Sequence, residues 1–179
     1  MKTIYLDTNV LLAKWSPNYP FHKESGQIIS ATEMGTIATV FSTIGLCEVV
    51  SVVKRQEMKF LPKSDPKPSM TIEFIKRIRT IKNLTIFNDN IKIDVSIAGI
   101  RTEILSTYWK SIEIASKIGL KTSNNIHLAT EIVFQRVTGR QIDYFVSADK
   151  MIILEARTIK KAIGVTVVTP DQFLVLEGL

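Results

Sequence analysis

The sequence predicts a three-layer α/β/α sandwich built on a central parallel sheet of about five strands. Two observations carry that expectation. The runs that read as strands are short and apolar throughout, as in KTIYLD, TIATVF, LTIF, DYFVS and VTVV. Strands that do not alternate polar with apolar are covered on both faces. Each run is also separated from the next by a stretch with helical spacing, the pattern of parallel strands joined by crossover helices.

Lys2 to Asp7 is the first such strand, and TNVLLAKW reads as a helix broken by Pro17 and Pro20. His22 to Met34 has helical spacing, with Ile28, Ile29 and Ala31 inside, and Gly35 ends it. Thr36 to Phe41 is the second strand. Ser42 is a good N-cap for a helix running to about Lys59. KSDPKPS reads as a loop, and Ser69 to Lys82 as a helix with Ile72, Ile75 and Ile78 on one face. Leu84 to Phe87 is the third strand. Asp94 is expected to cap a long helical region, broken midway, that reaches Ile118 and closes at Gly119. Ser123 or Asn124 starts the next helix, which ends at Gly139. Asp143 to Ser147 is the fourth strand, Asp149 to Ile163 a helix, Val165 to Val168 the fifth strand, and Pro170 opens a terminal helical turn.

With 179 residues and no repeat or long linker, residues 1–179 are expected to form a single domain. The longest uncharged stretch, Met34 to Cys47, has 14 residues, too short and too polar for a spanning helix of about 18 or more apolar residues. Asp7 and Asn9 interrupt the N-terminal apolar run, so no signal peptide is expected. A single cysteine, Cys47, allows no internal disulfide, which suits a reducing cytoplasm. The net charge of +6 points to a polyanionic partner, nucleic acid before a membrane.

In open parallel sheets, ligands bind beyond the carboxyl ends of the strands. Asp7 ends the first strand, Asp149 lies just past the fourth, and Glu48 lies in the helix after the second. Glu48 sits in GLCEVVSVV, a helix apolar nearly all round and therefore expected to be buried. A carboxylate there needs a cation, a proton or a hydrogen-bond partner, and a Lys or Arg could supply it. Asp7 and Asp149, taken singly, could be no more than N-caps. Three acids at one end of one sheet repel each other by several kcal/mol unless protons or a metal neutralise them. Oxygen donors alone favour a hard cation, Mg²⁺ or Mn²⁺.

At these residues the chain resembles the PIN-domain family, the fold of many metal-dependent toxin ribonucleases. IYLDTNVLL is similar to that family's first strand and acid, LCEVV to its second acid, TSNNIHLATE to the helix that usually begins with the third, FVSADK to the strand and turn carrying the fourth, and VTVVTPDQFL to the closing strand and helix. The resemblance runs from about Lys2 to Leu174. It implies Mg²⁺- or Mn²⁺-dependent hydrolysis of single-stranded RNA, with Asp7, Glu48 and Asp149 around the metal. Thr8, Asn9 and Ser147 would support the carboxylates. It also implies a cytoplasmic homodimer and a small antitoxin-type partner covering the acidic pocket. Extra chain relative to compact toxins is expected between Phe60 and Asn90.

Asn124 stands where the family has its third acid. Its amide oxygen can ligate a cation but brings no charge, and Asn125 is neutral too; Glu131 lies two turns on. Two readings follow: an endoribonuclease whose site includes Asp7, Glu48, Asp149 and Asn124, or a catalytically impaired relative that binds RNA or a protein. An aspartyl-phosphate hydrolase would place a second Asp two residues after Asp7, and that residue is Asn9. Asn124 also suits an N-cap. His127 reads as a packed core histidine, Cys47 as inert packing, and Trp15, Tyr19 and Phe21 as packing more than as base-stacking platforms.

Overall fold

The computed structural model describes residues 1–55 and 68–179. The first strand, β1 (Lys2–Leu6), lies at the middle of the sheet. On one side it pairs in parallel with β2 (Ile37–Ser42), which pairs with β3 (Leu84–Phe87). On the other it pairs with β6 (Tyr144–Val146), which pairs with β7 (Val167–Val168). The order is β3-β2-β1-β6-β7, all parallel, so the expected five-stranded sandwich is present. The chain leaves β1 in one direction and returns through β6 on the opposite side. This places the end of β1 where ligands bind in such sheets.

Side-chain alternation along β1 divides the core into two layers. Ile4 and Leu6 face one cluster with α1 (Thr8–Ala13), α2 (His22–Glu33), α3 (Thr43–Lys54), α4 (Pro68–Thr80) and α9 (Pro170–Glu177). Tyr5 faces the other, with α5 (Ser106–Ala115), α6 (Thr122–Thr138), α7 (Lys150–Leu154) and α8 (Ala156–Ile163). All three β1 side chains are fully buried, and Tyr5 stacks on Phe145 of β6 at 5.0 Å between ring centres. Both faces of the sheet are thus covered, which is why its strands read as continuous apolar runs.

Ser42 caps α3 as expected, its hydroxyl accepting from the Gly45 amide at 3.0 Å. Gly45 lets α3 lie hard against β2, because a Cβ there would overlap the Phe41 ring. Gly45→Ala is expected to destabilise the fold by about 1–2 kcal/mol: overpacking costs about 1–3 kcal/mol, and better helix propensity returns up to about 1. Chemical denaturation measures this; a variant as stable as the natural protein would show that the ring moves aside freely. The expected extension of α3 toward Lys59 and the loop from Lys63 lie outside the described residues.

One expectation is overturned. Asp94 caps no helix. Lys92–Ile97 (β4) and Ile100–Leu105 (β5) form an antiparallel hairpin apart from the main sheet, and only Ser106–Ala115 is helical. IDVSI and IRTEI alternate with period two and are rich in β-branched residues, which favours strands. Ala98 and Gly99 both have positive φ, 49° and 82°, the backbone that a tight two-residue hairpin turn requires. The start of α5 is instead held by Asp89, which accepts from the Thr107 amide at 2.7 Å and the Ser106 hydroxyl at 3.0 Å. Among the described residues, no helix is long and apolar enough to cross a membrane.

Candidate metal centre

Asp7 is placed by four hydrogen bonds at the end of β1. Its amide donates to the Val146 carbonyl of β6 at 3.0 Å. Oδ1 accepts from the Thr8 amide at 2.7 Å, capping α1, and Oδ2 accepts from Asn9 Nδ2 at 2.8 Å and Ser147 Oγ at 2.6 Å. Asn9 completes the tie, its Oδ1 accepting from the Ala148 amide at 2.9 Å. Ser147 Oγ also accepts from the Asp149 amide at 3.0 Å. Asn9 and Ser147 therefore bind the loop after β6, which carries Asp149, to the end of β1. Asp7 is only 4% exposed. Burial pushes its pKa up; the His127 charge and the Ser147 hydrogen bond offset part of that.

Asp149 caps α7 through Oδ1, which accepts from the Met151 amide at 2.7 Å. Its other oxygen, Oδ2, is 3.4 Å from Asn124 Nδ2. Asn124 is 7% exposed and is not the helix cap: α6 begins at Thr122 behind Lys121, with no side-chain cap. Asn124 therefore sits in the first turn and gives its amide to a carboxylate. No acid occupies that turn.

Glu48 and His127 depart from their expected settings. α3 is buried along Gly45, Val49 and Val53 only. The Glu48 side chain is 31% exposed and opens into the cavity beside Asp7, and Cys47 is exposed rather than packed. His127 is buried as expected at 1%, but it is no bland core residue. Its Nε2 lies 2.9 Å from Glu48 Oε2 and 3.9 Å from Asp7 Oδ1, and its Nδ1 lies 2.9 Å from the Tyr5 hydroxyl. An ionised carboxylate can only accept, so Nε2 carries the proton. Burial alone would raise the Glu48 pKa; the His127 hydrogen bond and charge outweigh it and hold it below its ordinary value. Burial alone would lower that of His127, and the Glu48 hydrogen bond with the two carboxylate charges raises it instead. The signal was present in the sequence: His127 follows Asn124 by three residues, so the two share a helix face.

Asp7, Thr8, Asn9, Glu48, Asn124 and Asp149 all line one cavity of about 580 Å³, joined by Tyr19, Arg55 and Lys121 from its rim. Ser147 lies beneath it, fully buried. Ligand atoms of Asp7, Glu48 and the buried His127 behind them lie within 4.8 Å of one another. Asp149 shares the cavity but stands outside that trio. Two carboxylates and an imidazole at that separation, with a third carboxylate oxygen held only by a long hydrogen bond, suit a divalent cation in donor chemistry. The imidazole holds Glu48 through its proton, so carboxylate oxygens are the atoms left to meet a hard ion.

No family model matches this sequence, and no curated protein does. Among solved structures, the chain is similar to the crystal structure of VapBC2 from Rickettsia felis bound to a DNA fragment from their promoter. The similarity has a TM-score of 0.57 at 10% identity and covers 93% of this chain and 98% of that one. At that identity the match speaks to the fold alone, and it supports the PIN-like architecture.

Proposed function

We propose that this chain is a Mg²⁺- or Mn²⁺-dependent endoribonuclease that hydrolyses phosphodiester bonds of single-stranded RNA. The observation that carries the reading is the gathering of Asp7, Glu48 and Asp149 in one cavity at the end of the central strand, in a chain of net charge +6. Asp7 and Asp149 would hold the cation, with Asn124 completing that side of the cavity. A cation bound there would supply stabilisation of charge on the phosphate oxygens and a more acidic attacking water. Glu48, kept ionised by His127, accepts a hydrogen bond from that water and takes its proton. The water oxygen bonds to phosphorus, and the sugar oxygen leaves with a proton from solvent. Thr8, Asn9 and Ser147 hold Asp7 in place, as partners of metal-ligating carboxylates do.

The test is cleavage of labelled single-stranded RNA, duplex RNA and single-stranded DNA in Mg²⁺, Mn²⁺ and excess chelator. Metal-dependent cutting of single-stranded RNA supports the reading, and cutting that persists in chelator contradicts it. A second reading, a PIN-like module that binds RNA or protein without cutting, is favoured by Asn124, whose amide spends its hydrogen on Asp149 where a carboxylate would add charge. Asn124→Asp is expected to tighten Mn²⁺ binding by more than tenfold, since one more unit charge near a divalent ion is worth about 2 kcal/mol even in a water-like dielectric. Calorimetry measures this, and an unchanged affinity removes Asn124 from the metal's surroundings.

A role as the toxin of a toxin–antitoxin pair in the cytoplasm, with an antitoxin-type protein covering the acidic cavity, is proposed from the sequence resemblance, and the fold shared with VapBC2 is compatible with it. The homodimer proposed with it would cover Tyr108 and Ile112, exposed four residues apart on α5.

A further inference from the structure

We infer that Arg55 and Lys121 are the residues that bind the RNA backbone and lay the strand across the carboxylates, an inference that rests on the nuclease reading above. A strand of phosphates must enter a cavity lined by Asp7, Glu48 and Asp149, and close like charges repel by about 1 kcal/mol or more even in water. Entry therefore needs cations at the rim. Both residues are exposed and line the same cavity as the acids.

They belong to different walls. Arg55 closes α3 as its C-cap, seven residues past Glu48 and so about 10 Å farther along the helix axis. Lys121 precedes α6, three residues before Asn124, about one turn from it. The two cations thus stand at the outer ends of the helices that carry Glu48 and Asn124. A strand carries several phosphates and can engage both cations that line the cavity, whereas a mononucleotide offers a single phosphate. This selects a strand over a mononucleotide, and Arg suits the task through its fork of donors.

The dense basic group on α4 does not share this place. Lys76 and Arg79 are exposed there, outside the cavity lining, and Arg101 lies on the hairpin. These serve as controls of equal charge.

The experiment is fluorescence anisotropy of a short labelled single-stranded RNA in chelator, so that binding is read without cleavage, over a series of salt concentrations. Arg55→Ala and Lys121→Ala are expected to weaken binding by about tenfold each. Each should also reduce the salt slope by about 0.7, the loss of one phosphate contact on a single strand. Lys76→Ala and Arg101→Ala should stay within about twofold of the natural protein, and AMP should bind far more weakly than the strand. Cavity variants that bind like the controls overturn this inference while leaving the nuclease reading standing. No RNA binding by the natural protein at any salt overturns this inference, and the cleavage assay in Mg²⁺ and Mn²⁺ decides the nuclease reading separately.

Discussion

Asp7→Asn is expected to lower RNA cleavage by at least about a thousandfold while leaving the fold intact. The activity loss follows from removing a charged oxygen ligand from the cation, whose stabilisation of the reacting phosphate is worth several kcal/mol. The survival of the fold follows from the site. Asn has nearly the same shape, its oxygen can keep the Thr8 amide, and its new amide can donate to Ser147 Oγ. One contact is lost, because Asn9 Nδ2 then meets another donor in place of an acceptor. Against that, Asp7 is buried with a raised pKa, so its ionised form already costs stability at neutral pH. The two changes oppose each other. Single-turnover cleavage in Mn²⁺ and a thermal melt read the two halves; full activity in the variant removes Asp7 from the site.

Glu131→Gln should stabilise the protein by about 3 kcal/mol at pH 7. Glu131 is 1% exposed on α6, and burial pushes its pKa up to about 8, with only partial relief from the Lys160 charge. One oxygen accepts from Gln135 Nε2 at 3.4 Å, and the other has no hydrogen-bond partner. In the unfolded chain the group titrates near its ordinary value of 4.5. The folded state thus holds the proton more tightly. Its stabilising effect is complete below pH 4.5, is lost at about 1.4 kcal/mol per pH unit as pH rises, and is gone above pH 8. Gln keeps the shape and the Gln135 contact and cannot ionise. Denaturation across pH should therefore give equal stabilities near pH 4 and a gap that widens to about 5 kcal/mol by pH 9. A gap that does not change with pH would show that Glu131 is not the titrating group.

Most of the sheet was legible because its central strands β1, β2 and β6 are covered on both faces, and a buried strand writes itself as an apolar run. The ends of those strands were legible for the same reason: Asp7 directly follows the apolar run of β1, and Ser147 and Asp149 follow that of β6. The hairpin at Lys92 to Leu105 was not, because its marks are local and weak. Period-two alternation over five residues competes with a helical reading of the same isoleucines, and the turn residues Ala98 and Gly99 are not the usual Asn-Gly pair. The burial of His127 follows from its apolar neighbours in the helix, but its polar role does not, since its partner Glu48 is 79 residues away. The same distance problem hid Arg55 and Lys121. The partial exposure of Glu48 follows from the cavity that α3 borders, and no helical periodicity encodes a cavity.

Asn124 is the residue on which the chemistry turns. It does not cap α6, so its place in the first turn beside Asp149 has no local structural need behind it. An acid there would add a fourth carboxylate to Asp7, Glu48 and Asp149; Asn124 leaves three, in a cavity also lined by Arg55 and Lys121. The balance between these groups decides how tightly a cation is held before RNA arrives.

The most direct test of the metal centre is a titration of the protein with Mn²⁺, reading the free ion by electron paramagnetic resonance. Saturable uptake by the natural protein that disappears in Asp7→Asn is the predicted result. Equal uptake by the two proteins, or none by the natural one, would contradict the assignment of this cavity as a metal centre.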